Sequence, residues 1–67
     1  MPVFNSTAIR RAEYDSSTGV LQLWFTESGG PYNYYGVPPQ VFDGLCRASS
    51  KGGYFNSHIR DRYSVAR

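Results

Sequence analysis

The 67-residue sequence predicts an α+β fold, in which a three-stranded antiparallel sheet is followed by two short helices packed on one face. Three observations lead to this prediction. The segment VLQLWFTE (20–27) alternates in side-chain character as a strand does, and the two prolines at 38 and 39 end the extended region. After the prolines, apolar residues recur at helical spacing. A chain of this length buries only about 60% of its unfolded surface, so we expect one domain.

The first strand is predicted around Ile9 to Tyr14, after a loosely held lead-in MPVFNST and before the turn DSSTG. Its parity is irregular, because Ile9 shares a face with Arg11, whereas Ala12 and Tyr14 share the opposite face with Arg10. A bulge between Arg10 and Ala12 would turn Ile9, Ala12 and Tyr14 all toward the core. The residues alone leave both arrangements open.

The second and third strands are close enough in sequence to form an antiparallel hairpin across the loop SGGP. In the third, PYNYYGVP, Tyr32 and Tyr34 share one face, while Asn33 and Tyr35 share the other. Burying the face of Asn33 would put an amide into the core at a cost in free energy. We therefore place Tyr32 and Tyr34 in the core and expect Tyr35 to be exposed on the open face, together with Trp24. The inward residues of the second strand are Leu21, Leu23 and Phe25.

Two helices are predicted after the prolines. The first has one apolar stripe, made of Val41, Phe42, Leu45 and Ala48, and should end within ASSKGG. Ser50 is suited to cap a second helix that reaches about Asp61, although Gly52 and Gly53 weaken its first turn. The apolar stripe of this second helix comprises Phe55, Ile59 and Tyr63.

Composition excludes several classes of protein. Cys46 is the only cysteine, so no disulfide can form within the chain, and this usage is typical of a reducing cytoplasm. The start of the sequence lacks the regions of a signal peptide, and no apolar stretch approaches the ~20 residues of a membrane helix. We predict a soluble, cytoplasmic monomer with no membrane partner. Its net charge of +2 is basic, without the strong excess that by itself indicates nucleic-acid binding.

Four ordered motifs along the chain resemble the KTSC domain family, which is named for its occurrence at the C-terminus of some lysyl-tRNA synthetases. The central Y-x-Y and V-P of that family match Tyr32-Asn33-Tyr34 and Val37-Pro38, and its L-x-V-x-F strand matches 21–25 with leucine at 23. Its later A-x-S-x-G…F…I…Y pattern matches Ala48, Ser50, Gly52, Phe55, Ile59 and Tyr63. The resemblance covers roughly residues 6 to 63 and implies a small domain that also occurs alone in bacterial and phage proteins. RNA binding is implied by the synthetase association, which is an analogy.

An enzyme is the class that the residues disfavour most. General acid–base or nucleophilic catalysis needs at least two positioned groups, and the candidates here are His58, Cys46, Asp43 and Asp61. His58 is predicted on a helix flank, where a solvated imidazole is usual, and Cys46 is suited to packing as a small hydrophobe. One histidine and one cysteine also leave a zinc site short of ligands. We expect no catalytic residue, no metal and no cofactor.

The second helix carries the candidate surface for RNA or DNA. Its residues are Lys51, Asn56, His58, Arg60 and Arg62, with Tyr35 or Trp24 available to stack a base and Arg10 and Arg47 as further cations. Stacking contributes ~1–3 kcal/mol per base, and cations add a salt-dependent share. The glycines behind Lys51 leave backbone N–H groups open to a phosphate.

A protein-interaction module is the alternative. In this interpretation the cations only solvate the surface, and the interaction face is formed by Trp24 and Tyr35 on the open side of the sheet, unless the N-terminal PVF shields Trp24. An unprotected edge strand would serve the same purpose.

Overall fold

The computed structural model describes residues 8–66. Its elements are β1 (Ile9–Asp15), β2 (Val20–Phe25), β3 (Gly29–Tyr34), α1 (Pro39–Arg47), α2 (Lys51–His58) and β4 (Val65–Ala66). The predicted α+β class and the order β-β-β-α-α are confirmed, with one short strand added at the end. The lead-in MPVFNST, and with it the predicted shielding of Trp24, lies outside the described residues.

The four strands form one antiparallel sheet in the order β1-β2-β3-β4. The predicted hairpin aligns Leu21 with Tyr34 and Leu23 with Tyr32, so all four side chains point to the helical side. β4 pairs only with the end of β3, at Asn33 and Tyr34. Two residues are too few to produce a readable alternation, which is why the sequence did not predict this strand.

The bulge in β1 is present. Ile9 pairs with Phe25 and Arg11 pairs with Trp24, so the register shifts between Ile9 and Arg11. As a result Ile9 and Ala12 are both fully buried, which strict alternation would forbid. Between them, Arg10 is left exposed.

The connection from β2 to β3 is tighter than predicted. The expected loop SGGP is wrong in extent, because β3 begins at Gly29 and only residues 26–28 form the turn. Gly29 has φ +75°, a left-handed conformation that suits glycine. A Cβ at Gly30 would lie 2.6 Å from the carbonyl oxygen of Leu23, so a side chain there would collide with β2. Because these two residues have no side chain, β3 can approach β2 closely after a turn of only three residues.

The core lies between the sheet and the two helices. Its buried members are Ile9, Ala12, Leu21, Leu23, Tyr34, Val37, Leu45 and Ile59. From the first helix, Leu45 is fully buried, and Val41 and Phe42 pack against this core as predicted. Phe42 also stacks on Tyr14, with 5.1 Å between ring centroids.

The second helix starts as predicted and ends early. The Ser50 side chain accepts a hydrogen bond from the Gly53 N–H, which is an N-terminal cap. The predicted extension to Asp61 is wrong: the helix ends at His58, because the amides of Ile59 and Arg60 both donate to the Phe55 carbonyl. The chain then turns back toward the sheet, where Ile59 is buried and Tyr63 packs at the margin of the core.

The three tyrosines of the PYNYYGVP segment have different environments. Tyr34 is only 5% exposed and Tyr35 is 44% exposed, as the parity argument predicts. Tyr32 is half-buried, less than predicted, because it packs edge-on against Phe25 at the margin of the core, with 5.2 Å between ring centroids.

Candidate functional site

The turn after α2 presents two arginines on the surface. Arg60 and Arg62 are exposed, and both side chains reach back along the helix. Arg60 Nη1 donates to Asn56 Oδ1 over 3.4 Å, and Arg62 Nε donates to the Ser57 carbonyl over 3.3 Å. Since a guanidinium has five donors, each retains most of them for a ligand.

Tyr35 is joined through its backbone to the segment that follows these arginines. Its backbone N–H donates to the carbonyl of Ser64 over 2.9 Å, which ties the end of β3 to the segment that follows Arg62. We call the group of Asn56, Arg60, Arg62 and Tyr35 the α2 surface. It combines two guanidinium groups, an amide and an exposed ring, which are groups suited to phosphates and bases.

Arg60 also lies close enough to the core to act on a buried phenol. Burial raises the pKa of Tyr34 above its ordinary value of 10.0, and Tyr32 adds to this rise. The positive charge of Arg60 opposes it.

Lys51 lies at the start of α2, and its side chain is turned toward α1. Its ammonium donates to the carbonyl oxygens of Cys46 and Ala48, at the C-terminal end of α1. A cation at this end of a helix stabilises carbonyls that have no partner within the helix. Lys51 thus links the two helices, and the structure does not group it with Arg60 and Arg62.

The start of α2 is less open to an anion than predicted. The Gly53 N–H is already bound to Ser50 Oγ over 3.1 Å, and the Tyr54 N–H is bound to the Ser50 carbonyl. At the other end of the helix, the exposed His58 ring packs on Tyr54, with 4.3 Å between centroids. His58 is therefore held against its own helix.

Trp24 and Tyr35 lie at different positions along the open face of the sheet. Tyr35 follows the residue paired with Leu21, so Trp24 lies about four residues farther along the sheet, roughly 13 Å away. A hydrogen bond of 2.8 Å from Gln22 Nε2 to Asn33 Oδ1 lies between them.

Trp24 has a partner that the sequence analysis assigned to no site. The guanidinium carbon of Arg11 lies 4.6 Å from the centroid of the indole, a cation–π contact. Arg11 Nη2 also donates to Glu13 Oε2 over 2.9 Å. Arg11 faces Trp24 only because of the β1 bulge, so its parity could be read only after the bulge was known.

The other candidate cations and nucleophiles are separate from the α2 surface. Arg47 forms an ion pair of 3.2 Å with Asp43 on the exposed side of α1. Burial raises the pKa of the Cys46 thiol; Lys51 lowers it and Asp43 raises it further. Within residues 8–66, the acidic, histidine and cysteine side chains form no group of three that could hold a metal ion. No helix in the same range is long and apolar enough to cross a membrane.

Known proteins match almost the whole chain. The KTSC domain model matches residues 5–63. A protein of Tsukamurella paurometabola is 43% identical over 63 residues, covering 94% of this chain and 92% of that protein. A lysine–tRNA ligase of Nostoc punctiforme is 37% identical over 57 residues, covering 85% of this chain but only 10% of the ligase. The crystal structure of a KTSC domain protein from Yersinia pestis superposes with a TM-score of 0.94 at 29% identity, covering 98% of this chain and 92% of that one.

Proposed function

The chain belongs to the KTSC domain family, and we propose that this member is a small, non-catalytic domain that binds RNA as an accessory to another activity. The observation that carries the proposal is the α2 surface. Two exposed arginines lie on one turn, next to an amide, and the backbone of Tyr35, whose side chain is 44% exposed, is bonded to Ser64, two residues after Arg62. Arginines fix the phosphates of a nucleic acid, and an aromatic ring stacks a base.

The relatives favour RNA over other anions. A lysine–tRNA ligase contains a region similar to this chain, in one tenth of its length. A domain of that size attached to an enzyme named for tRNA is suited to adding contacts to the RNA backbone. The proposal assigns to the free domain only this backbone and base contact, and none of the ligase chemistry.

The expected binding is weak and sensitive to salt. For single strands, the logarithm of affinity falls with the logarithm of salt concentration with a slope of about −0.7 per phosphate contact. If Arg60 and Arg62 each contact one phosphate, raising the salt from ~50 to ~200 mM lowers affinity about sevenfold. A sevenfold change in affinity can be measured, and it distinguishes this binding from binding that does not depend on salt.

Fluorescence anisotropy of a labelled single-stranded RNA tests the proposal. Arg60→Ala should weaken binding and reduce the salt slope by about 0.7, while the thermal melt stays unchanged because Arg60 is exposed. Arg47→Ala is the matched control: it removes the same charge from an arginine that is paired with Asp43. Equal effects of the two variants, or no dependence on salt, would refute the proposal.

A protein-interaction module is the second candidate, and the edge of the sheet is one surface that it would use. Among the described residues, β1 forms strand pairs with β2 alone, and strand addition would take place on its outer edge beyond Ile9. The bulge at Arg10 and the charged residues of β1 make this edge a poor template, as is common for edge strands that avoid pairing. Binding to a protein at this edge would be insensitive to Arg60→Ala.

A further inference from the structure

A groove beside the sole tryptophan lies outside the α2 surface. Arg10, Arg11, Trp24, Phe25 and Gly29 line about 280 Å³ of space at the end of the sheet where β1 and β3 begin. We call it the Trp24 cleft. It contains two guanidinium groups and an indole within a few residues of one another, a combination suited to a ligand that has both a flat face and a negative charge.

Arg11 is held in a position that leaves one of its donors unsatisfied. Its guanidinium lies over the indole at 4.6 Å and is paired with Glu13 at 2.9 Å. Its Nε is enclosed and has no hydrogen-bond partner within residues 8–66. An enclosed N–H without an acceptor is unfavourable, so a ligand oxygen that reached it after a small rotation would relieve this cost.

A second groove shares one lining residue with the Trp24 cleft and one with the α2 surface. This groove, of about 240 Å³, shares Phe25 with the Trp24 cleft and extends past Phe55 to Asn56 on α2. Asn56 in turn accepts a hydrogen bond from Arg60. The two grooves therefore extend from Asn56 on α2 to the end of the sheet where β3 begins. Three acidic side chains lie along this route: Glu27 lines the connecting groove, Glu13 is paired with Arg11, and the exposed Asp61 lies between Arg60 and Arg62.

We propose that the Trp24 cleft binds one nucleotide of a single-stranded nucleic acid whose backbone continues to the α2 surface; the inference rests on the proposed RNA binding. The base stacks on the Arg11 guanidinium above the indole, because guanidinium planes and aromatic rings are the usual stacking partners of unpaired bases. The exposed Arg10 contacts the neighbouring phosphate. An acidic peptide would satisfy the charge of Arg10 but would not supply the flat face.

The tryptophan fluorescence of the protein reports on this site, since Trp24 is the only tryptophan. Titration with an eight-nucleotide oligouridine should change its fluorescence in a saturable way. Arg11→Gln should weaken binding by roughly 5- to 150-fold, the range expected for loss of one stacked base. Arg10→Gln should weaken it less and reduce the salt slope, and Arg47→Gln should change neither. Glu27→Gln should strengthen binding by removing a repulsive charge on the route.

The outcomes separate this inference from the proposed function. In one outcome Arg60→Ala weakens oligouridine binding, Trp24 emission does not change on titration, and the Arg10→Gln protein binds as tightly as the original protein. This outcome overturns the Trp24 cleft and retains the α2 surface. Absence of binding to RNA and DNA oligonucleotides overturns both. If Arg11→Gln lowers the melting temperature, the decisive variant is Arg10→Gln, because Arg10 is exposed. Unchanged affinity of the Arg10→Gln protein for oligouridine refutes the inference.

Discussion

Replacing Tyr34 with alanine should remove most of the stability of this domain. The side chain is 5% exposed and packs edge-on against Phe55, with 5.6 Å between ring centroids. Truncating a buried aromatic costs ~3–5 kcal/mol, whereas 67 residues at ~0.05–0.15 kcal/mol each give a total of only ~3–10 kcal/mol. Tyr35 is 44% exposed, so Tyr35→Ala should lower the free energy of unfolding by less than about 1 kcal/mol.

Urea and thermal denaturation followed by far-UV circular dichroism measure the difference. For a domain of this size each kcal/mol shifts the melting temperature by ~4–8 °C, so Tyr34→Ala should lower it by at least ~12 °C or abolish the transition. Tyr34→Phe keeps the ring and should retain most of the stability, which separates packing from the hydroxyl. Equal losses for Tyr34→Ala and Tyr35→Ala would refute the parity argument.

Three further predictions concern the backbone, the helix cap and pH. Gly30→Ala should destabilise the fold by more than ~1 kcal/mol in urea denaturation, because the new Cβ would collide with the backbone of β2. Ser50→Ala should cost ~1 kcal/mol by removing the α2 cap, while Ser49→Ala, at the exposed neighbouring position, should cost little in the same assay. Burial raises the pKa of both Tyr34 and Cys46, so the unfolded chain loses these protons first and the free energy of unfolding should fall as pH rises above about 9. Urea denaturation at pH 7 and at pH 10 checks the sign, and an increase in stability at the higher pH would contradict it.

Much of the fold could be predicted because its signals are local. The alternation of β2 and the prolines before α1 act within a few residues, and both elements formed where expected. The bulge in β1 depends on which side chains the opposite strand can accept. The parity of Ile9 and Ala12 therefore indicated that a bulge could be present but did not decide it. The tight β2–β3 turn depends on the approach of Gly30 to β2, which composition suggests but does not fix.

The candidate site was less predictable, since it depends on where long side chains end. Arg60 and Arg62 lie on the expected surface, although on a turn and not on the helix. Lys51 was assigned to that surface from its position, but its ammonium caps α1. The contact between Arg11 and Trp24 requires the register of two strands, which no single segment of the sequence encodes.

An amide chemical-shift titration of the full chain with single-stranded RNA tests the central claim most directly. Binding at the α2 surface predicts saturable shifts for residues 56–64 and Tyr35 at ~50 mM salt, which weaken about sevenfold in apparent affinity at ~200 mM. Shifts that are absent from these residues with RNA and with DNA, or that persist unchanged at the higher salt, would contradict it.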